Sequence, residues 1–354
     1  MRTLLSRLEA LRAEVVAIAG FAKNCGKTTT LTHMRAGYEQ LGRRLGLTSV
    51  GRDGEAFDVV TRQPKPRIEV SPGTLFATAT ESLAVSSVMA KEIRRTGIAS
   101  ALGEIVLAEV LQAGLAELSG PTTVSQTRRV VKMLREAGAE RVLIDGAVDR
   151  RASCSSAVCD GVVLAGGAVL GATVESACAR IAHGVRLFEL PEVDGLIAGL
   201  VRSALPESGF QAAAVVEEGR VVLLPGSALT QLDEIQAATF GLPSHFYVGG
   251  ALTNEIVRKL ARFERLPEIV VADATRVLLS PMALAQWEVA GGRVRVLDTI
   301  RVCAVTTNPF NPTGPSLPAA ALLDAVAEAV PGLPIYDVVA GLSAVGAHVL
   351  CQRP

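Results

Sequence analysis

The sequence is poor in aromatic residues and carries no net charge. Aromatic side chains make up 4% of the 354 residues and hydrophobic residues 49%, so the core must be built from Ala, Val, Leu and Ile. Aliphatic strands that are buried on both faces are typical of parallel sheets covered by helices. The 35 basic and 35 acidic residues balance, which gives no sequence-wide electrostatic reason to expect nucleic acid or an anionic membrane as the partner.

Zinc-ribbon cysteine spacing and long apolar runs are also absent. The six cysteines form no CxxC pair, and the closest two are Cys154 and Cys159. We interpret them as reduced thiols. The longest apolar stretch, 162–174, is too short to span a membrane and is interrupted by glycines. We therefore expect a soluble, cytoplasmic protein.

One segment carries a specific chemical signal, the sequence GFAKNCGKTTT at residues 20–30, which we call the GKT loop. It lies between an apolar run that predicts a strand (14–19) and a pattern that predicts a helix (28–41). Glycine lets the backbone approach an anion closely, and successive N–H groups at a helix start point towards it. A lysine and a threonine at the helix start bind the β- and γ-phosphates and Mg²⁺. The predicted nucleotide-binding residues are Gly20, Lys23, Asn24, Cys25, Gly26, Lys27, Thr28 and Thr29.

The GKT loop departs from the common pattern, because Phe21 stands six residues before the lysine, where glycine is usual, and Gly20 stands seven before it. Longer loops of this kind occur in the NTPase class that contains dethiobiotin synthetase and the metallochaperone GTPases. Two interpretations stay open for Lys23, a phosphate contact across a homodimer or a solvated charge. Two also stay open for Cys25, a thiol made acidic by the helix N-terminus or a space-filling side chain.

Carboxylates that could act with a bound nucleotide follow two predicted strands. Asp145 ends the run RVLID, and a nucleotide hydrolase needs a carboxylate near Mg²⁺ at the end of an adjacent strand. Asp53 follows a strand at 45–50, where it would orient water or bind Mg²⁺. The alternatives are that Asp145 caps the next segment and that Asp53 only forms a turn with Gly54. We predict Lys27, Asp53 and Asp145 as catalytic residues, with Thr28 and Asp145 as Mg²⁺ ligands.

Two further segments have distinctive compositions. Residues 246–254, FYVGGALTN, predict a strand, a glycine turn and a helix start, which would bind an anion or a partner or serve only as a tight turn. Residues 308–314, NPFNPTG, predict a rigid loop in which an exposed Phe310 would suit a docking surface. The absence of an [NT]KxD segment favours ATP over GTP.

The order of predicted elements indicates an α/β protein with two domains. A P-loop NTPase domain at 1–205 is expected to hold a mostly parallel sheet with inserted short strands, and a second α/β domain is expected at 206–354. Within the insertion, 67–120, we predict a helix near 81–95 and a hairpin turn at 112–114. The N-terminal segment is expected to form an amphipathic helix that packs on the domain through Leu4, Leu5, Leu8 and Leu11.

Several segments resemble one family over nearly the whole chain. They are GFAKNCGKTTT, LTSVGRDGE, PKPRIEV and GTLFATA in the first half, and YVGGALTNE, VVADATR, RVLDTIRV and TTNPFNPTGPS in the second. The chain resembles the reactivating subunit linked to cobalamin-dependent lysine 5,6-aminomutase.

The resemblance implies an ATP-dependent factor that restores an aminomutase whose adenosylcobalamin is damaged, together with a second ATPase subunit. Lys27, Thr28 and Asp145 are the binding residues that it carries over. No Asp-x-His-x-x-Gly cobalamin motif is present, so we do not expect tight binding of the coenzyme itself. The alternatives are an ATP-dependent synthetase or kinase like dethiobiotin synthetase, a GTPase-type metallochaperone, and an assembly module that binds nucleotide without hydrolysing it.

Overall fold

A computed structural model describes residues 3–50, 67–146, 155–205, 212–216, 219–224, 228–229, 232 and 244–345. The strands are β1 (Val15–Gly20), β2 (Leu45–Ser49), β3 (Ile68–Val70), β4 (Leu75–Ala79), β5 (Met89–Ser100), β6 (Gly103–Gln112), β7 (Gly114–Ala116), β8 (Arg141–Asp145), β9 (Gly161–Gly167), β10 (Ala212–Val216), β11 (Arg220–Leu224), β12 (His245–Val248), β13 (Leu252–Thr253), β14 (Glu268–Val271), β15 (Val277–Leu278), β16 (Val294–Val296), β17 (Val302–Asn308), β18 (Pro334–Asp337) and β19 (Leu342–Val345). The helices are α1 (Leu4–Ala10), α2 (Lys27–Gln40), α3 (Thr80–Val85), α4 (Val124–Glu136), α5 (Val174–Phe188), α6 (Gly195–Ala204), α7 (Asn254–Leu260), α8 (Pro281–Val289) and α9 (Ala319–Ala329).

The chain divides into two compact units. The first contains residues 1–185 and 301–354, and the second contains residues 186–300. This division differs from the predicted domains, 1–205 and 206–354, because β17 returns to the first sheet and pairs in parallel with β9. Pairing between strands so distant in sequence leaves no local mark in composition, so the sequence did not indicate where the second unit ends.

The first unit is built on a ten-stranded sheet in the order β19-β18-β17-β9-β1-β8-β2-β4-β6-β5. Neighbouring strands run parallel from β18 to β4, while β19 pairs antiparallel at one edge and β6 and β5 do so at the other. All residues of β1 are buried, as its uninterrupted apolar sequence predicts for a central parallel strand. The expectation of a mixed α/β fold with a large, mostly parallel sheet is therefore confirmed.

Helices cover both faces of this sheet. On one face, α1 and α2 pack over the sheet, and Leu31, Met34 and Tyr38 of α2 join its buried core. On the opposite face, Leu134 of α4 contacts Gly46 of β2, where a larger residue would collide with it. Both layers exclude water from the strands, so polar groups concentrate at the strand ends.

The N-terminal helix packs on the first unit as predicted. Leu4 and Leu8 of α1 are fully buried, and Leu5 fits against Gly37 of α2, where a Cβ would strike its side chain. Because α1 is only seven residues long, its stability comes from this packing and not from helix propensity.

Two predictions within residues 67–120 are wrong. The helix expected near 81–95 ends at Val85, and the chain then enters β5. This strand lies at the sheet edge with most side chains exposed, so its polar sequence lacks the alternation that marks a strand. The hairpin is formed by β5 and β6, whereas β7 pairs with β3 and no hairpin turns at 112–114.

The second unit is a smaller α/β structure. Its sheet has the order β11-β10-β12-β14-β16, in which β12, β14 and β16 run parallel and β10 is antiparallel to both of its neighbours. Trp287 and Phe246 are fully buried in its core. Within the described part of the chain, no helix is both long and apolar enough to cross a membrane.

The contact between α1 and the sheet generates a stability prediction. Arg141 donates from Nε and Nη2 to the two Glu9 carboxylate oxygens over 2.8 and 2.7 Å, and this bond lowers the pKa of Glu9. We expect Glu9→Gln to reduce the free energy of unfolding at pH 7 by about 1 kcal/mol. Because the pKa of Glu9 is lowered, the loss should shrink as the pH falls below the ordinary glutamate range and the carboxylate is protonated.

Urea unfolding of Glu9→Gln and of Glu136→Gln provides the measurement and its control. Glu136 pairs with Arg94 at 3.0 Å, but both side chains are about half exposed, so this pair should contribute little. Equal losses in the two variants would contradict the role assigned to Glu9.

Candidate functional site

The GKT loop connects the central strand to a helix that begins at the lysine. β1 ends at Gly20 and α2 begins at Lys27, with Gly26 as its N-cap. Gly26 has φ 104°, a left-handed conformation that side chains disfavour, and its carbonyl accepts the Thr30 N–H at 2.9 Å. The predicted order of strand, loop and helix is confirmed.

The lysine side chain lies back across the start of the loop. A Cβ added to Gly20 would stand 2.8 Å from Cγ of Lys27 and would also strike the thiol of Cys25. Gly20 therefore leaves space for both side chains. Cys25 is 1% exposed, and this burial favours the space-filling interpretation of the thiol.

Phe21, the departure from the common pattern, is part of the packing beneath the loop. Its backbone N–H donates to the Ala165 carbonyl at 3.1 Å, which continues the β1–β9 ladder by one residue. Its ring occupies the space left by Gly184 of α5 and lies beside Gly166 of β9. The aromatic ring thus anchors the longer loop where glycine is usual.

A residue from the distant strand β17 holds the other side of the loop. Asn308 packs so closely on Gly26 that a Cβ there would stand 2.9 Å from its own Cβ. Its Nδ2 donates to the Asn24 carbonyl at 3.4 Å, and Asn24 itself has φ 59°. In the first turn of α2, the Thr30 hydroxyl forms a hydrogen bond of 2.8 Å with the hydroxyl of Thr306. Two β17 residues therefore fix the conformation of the loop and the helix start.

The expected carboxylate lies at the end of the strand next to β1. Asp145 is paired in register with Ile18 of β1, and the Lys27 ammonium is near enough to act on its charge. Its Oδ1 is buried and has no hydrogen-bond partner among the residues that the structure describes. Burial raises the pKa of Asp145 to about 6, and Lys27 opposes that rise. A buried, unpartnered carboxylate oxygen beside a lysine fits a cation-binding site.

A pocket of about 450 Å³ opens beside the start of α2. Its lining residues are Thr28, Thr29, Thr32, His33, Ala36 and Val338. Burial lowers the pKa of His33, which keeps its imidazole neutral at physiological pH. The pocket continues from the two predicted ligand residues, Thr28 and Thr29, along α2.

The other predicted residues are exposed in the loop or lie outside the described residues. Lys23 and Asn24 are exposed in the loop, while Asp53 lies outside the described residues, so its prediction stays untested. Phe310 is 61% exposed in the loop that follows Asn308, and its docking role remains a prediction.

Sequence reasoning missed Asn308, Val338 and His33 as neighbours of the site. Only the asparagine gave a signal, a polar residue at the end of a strand that begins with apolar residues.

The geometry gathers the chemical groups that anion and cation binding require. Backbone N–H groups at the start of α2 and the Lys27 side chain favour an anion, and the buried carboxylate oxygen of Asp145 favours a hard cation. Comparisons with family models, with curated proteins and with solved structures found no match to this chain.

The raised pKa of Asp145 predicts a stabilising substitution. A carboxylate whose pKa is raised on folding costs stability as the pH rises through the folded value, here about 6. Without nucleotide or Mg²⁺, Asp145→Asn should therefore raise the free energy of unfolding at pH 7.5 by about 1–3 kcal/mol. The gain should shrink as the pH falls below 6 and disappear near pH 3, below the ordinary aspartate value of 3.8, where the carboxyl is mostly neutral in both states.

Chemical unfolding at the two pH values tests this, with Asp160→Asn as the control. The Asp160 carboxylate accepts the N–H groups of Glu14 and Val15 at 2.9 and 2.8 Å, so it stabilises the fold and its replacement should bring no gain. If Asp145→Asn were neutral or destabilising at pH 7.5, the burial cost assigned to this carboxylate would be wrong.

Proposed function

We propose that the GKT loop binds the phosphates of ATP with Mg²⁺ and that the chain is an ATPase with a P-loop NTPase fold. The observation that carries the proposal is the convergence of Lys27 and Asp145 at the carboxyl ends of neighbouring parallel strands. A lone glycine-lysine loop is a weaker signal, whereas a loop lysine beside a buried carboxylate matches what phosphoryl transfer requires.

Each residue at this site has a distinct role in the proposal. Backbone N–H groups of the GKT loop and the Lys27 ammonium bind the phosphate oxygens and stabilise the charge that grows on them. Thr28 and Asp145 hold Mg²⁺, which neutralises phosphate charge when bound. The pocket beside Thr29 receives the part of the nucleotide beyond the phosphates. Asn308 positions the loop and touches no reacting atom.

The cellular role that we propose is reactivation of an adenosylcobalamin-dependent lysine aminomutase, together with a second ATPase subunit. It rests on the sequence resemblance, which extends into both units. Its physical basis is differential binding, in which the nucleotide state sets the loop conformation and so changes affinity for the partner. Asn308 donates to the Asn24 carbonyl and accepts the backbone N–H of Phe310. These hydrogen bonds connect the GKT loop to the exposed Phe310, which would contact the partner.

A small-molecule enzyme that uses ATP, similar to dethiobiotin synthetase, is the second candidate. The pocket of about 450 Å³ favours it, because a substrate there would border Thr28 directly. This candidate predicts ATP turnover that depends on a small molecule and needs no protein partner, whereas reactivation predicts turnover that the aminomutase stimulates.

Loss of the loop lysine should abolish most nucleotide affinity. We expect Lys27→Ala to weaken Mg²⁺–ATP binding roughly 10- to 100-fold, because a charge-assisted contact to phosphate is removed. Isothermal titration calorimetry measures the change, and Lys132→Ala, an exposed lysine of α4, is the matched control. Equal affinity of the two variants would exclude the GKT loop as the phosphate site.

The reactivation role has its own assay. Inactivated aminomutase, the partner ATPase, ATP and fresh adenosylcobalamin are incubated with this protein or with Lys27→Ala. Activity should return with the intact protein and with Lys132→Ala but not with Lys27→Ala. If the intact protein binds ATP in calorimetry but restores nothing here, the aminomutase role is wrong although the nucleotide site stands.

A further inference from the structure

In the second unit, the loops after β12 and β14 leave the sheet at the carboxyl ends of two neighbouring parallel strands. β13 and β15 pair in parallel just beyond the sheet, Leu252 with Val277 and Thr253 with Leu278. Ala251, the residue after the glycine turn at 249–250, and Arg276 each directly precede a paired segment, so the ladder brings the two loops together. In open α/β sheets, ligands bind outside the carboxyl ends of parallel strands.

The buried Nε of Arg276 lacks a hydrogen-bond partner among the described residues. Neither a hydrogen bond nor an ion pair to the guanidinium of this residue occurs in that part of the chain. By contrast, Arg186, Arg202 and Arg295 of the same unit each contact a carboxylate, at 2.6, 2.9 and 2.6 Å. A buried donor without an acceptor is unfavourable, and an arriving oxyanion would offset that cost.

The nearby acidic groups are already engaged. Asp273 uses Oδ1 to accept the N–H of Thr275 at 2.9 Å and also its hydroxyl, which fixes the loop that carries Arg276. Asp298 pairs with Arg202. Neither carboxylate forms an ion pair with Arg276 among the described residues, so its Nε–H remains available to an acceptor.

The groups near Arg276 suit a small polar ligand. The Tyr247 hydroxyl is close enough to Arg276, Asp273 and Asp298 to respond to their charges, and burial raises the pKa of this phenol. The phenol therefore stays neutral at physiological pH. Gly249 and Gly250 carry no side chains that would block approach to the backbone of the turn.

We propose that Arg276 binds an oxyanion, the carboxylate or phosphate group of a small molecule, at the carboxyl edge of the second unit's sheet. The arginine presents Nε and one terminal nitrogen as a fork, which matches two oxygens of either group. The proposal does not depend on nucleotide binding at the GKT loop.

The experiment follows the Nε–H signal of Arg276 by ¹⁵N NMR of the intact chain. Through-bond assignment identifies the signal, and its loss in Arg276→Lys confirms the assignment. The protein is titrated in parallel with inorganic phosphate, acetate and chloride. We expect a saturable downfield shift with phosphate, with acetate or with both, and the ion that acts identifies the chemical class.

Arg258→Gln, an exposed arginine of α7, is the matched control and should leave the response unchanged. Arg276→Lys should abolish the response of neighbouring backbone amides at 249–251. The proposal is overturned if neither oxyanion shifts the Arg276 signal, if chloride shifts it equally, or if the amides still respond in Arg276→Lys.

Discussion

The register between β1 and β8 is the constraint on which the candidate site depends. It places the carboxylate of Asp145 at the end of β8, opposite Ile18, while β1 continues for two residues and leads into the loop of Lys27. Burying an unpaired carboxylate oxygen is unfavourable. A bound cation would remove that cost. In the proposed function, the burial cost at Asp145 is stability given up for cation binding.

The site is completed by a strand that comes from the far end of the chain. Thr306 and Asn308 of β17 contact the helix start and the loop, so the second unit, residues 186–300, interrupts the sequence between two parts of one structure. The loop conformation consequently depends on long-range pairing between β17 and β9. Residues 1–205 alone would lack these contacts and would expose the edge of β9.

The sequence predicts the centre of the first unit well, because its signals there are local. The apolar run of β1, the glycines of the GKT loop and the run that ends at Asp145 each define an element without reference to distant residues. The edge strand β5 could not be predicted from local signals, because its exposed, charged side chains follow helix-like spacing. The contact of Asn308 with Gly26 could not be predicted from local signals either, because only the tertiary pairing of β17 brings the two residues together. Asp53 lies outside the described residues, so its predicted role stays open to experiment.

The most direct measurement is a crystal structure of the chain with Mg²⁺ and a non-hydrolysable ATP analogue. Our account predicts that the β-phosphate lies within the GKT loop, that Lys27 contacts the phosphates, and that the cation lies between Thr28 and Asp145. A nucleotide bound elsewhere on the chain, with the GKT loop empty at saturating analogue, would contradict it.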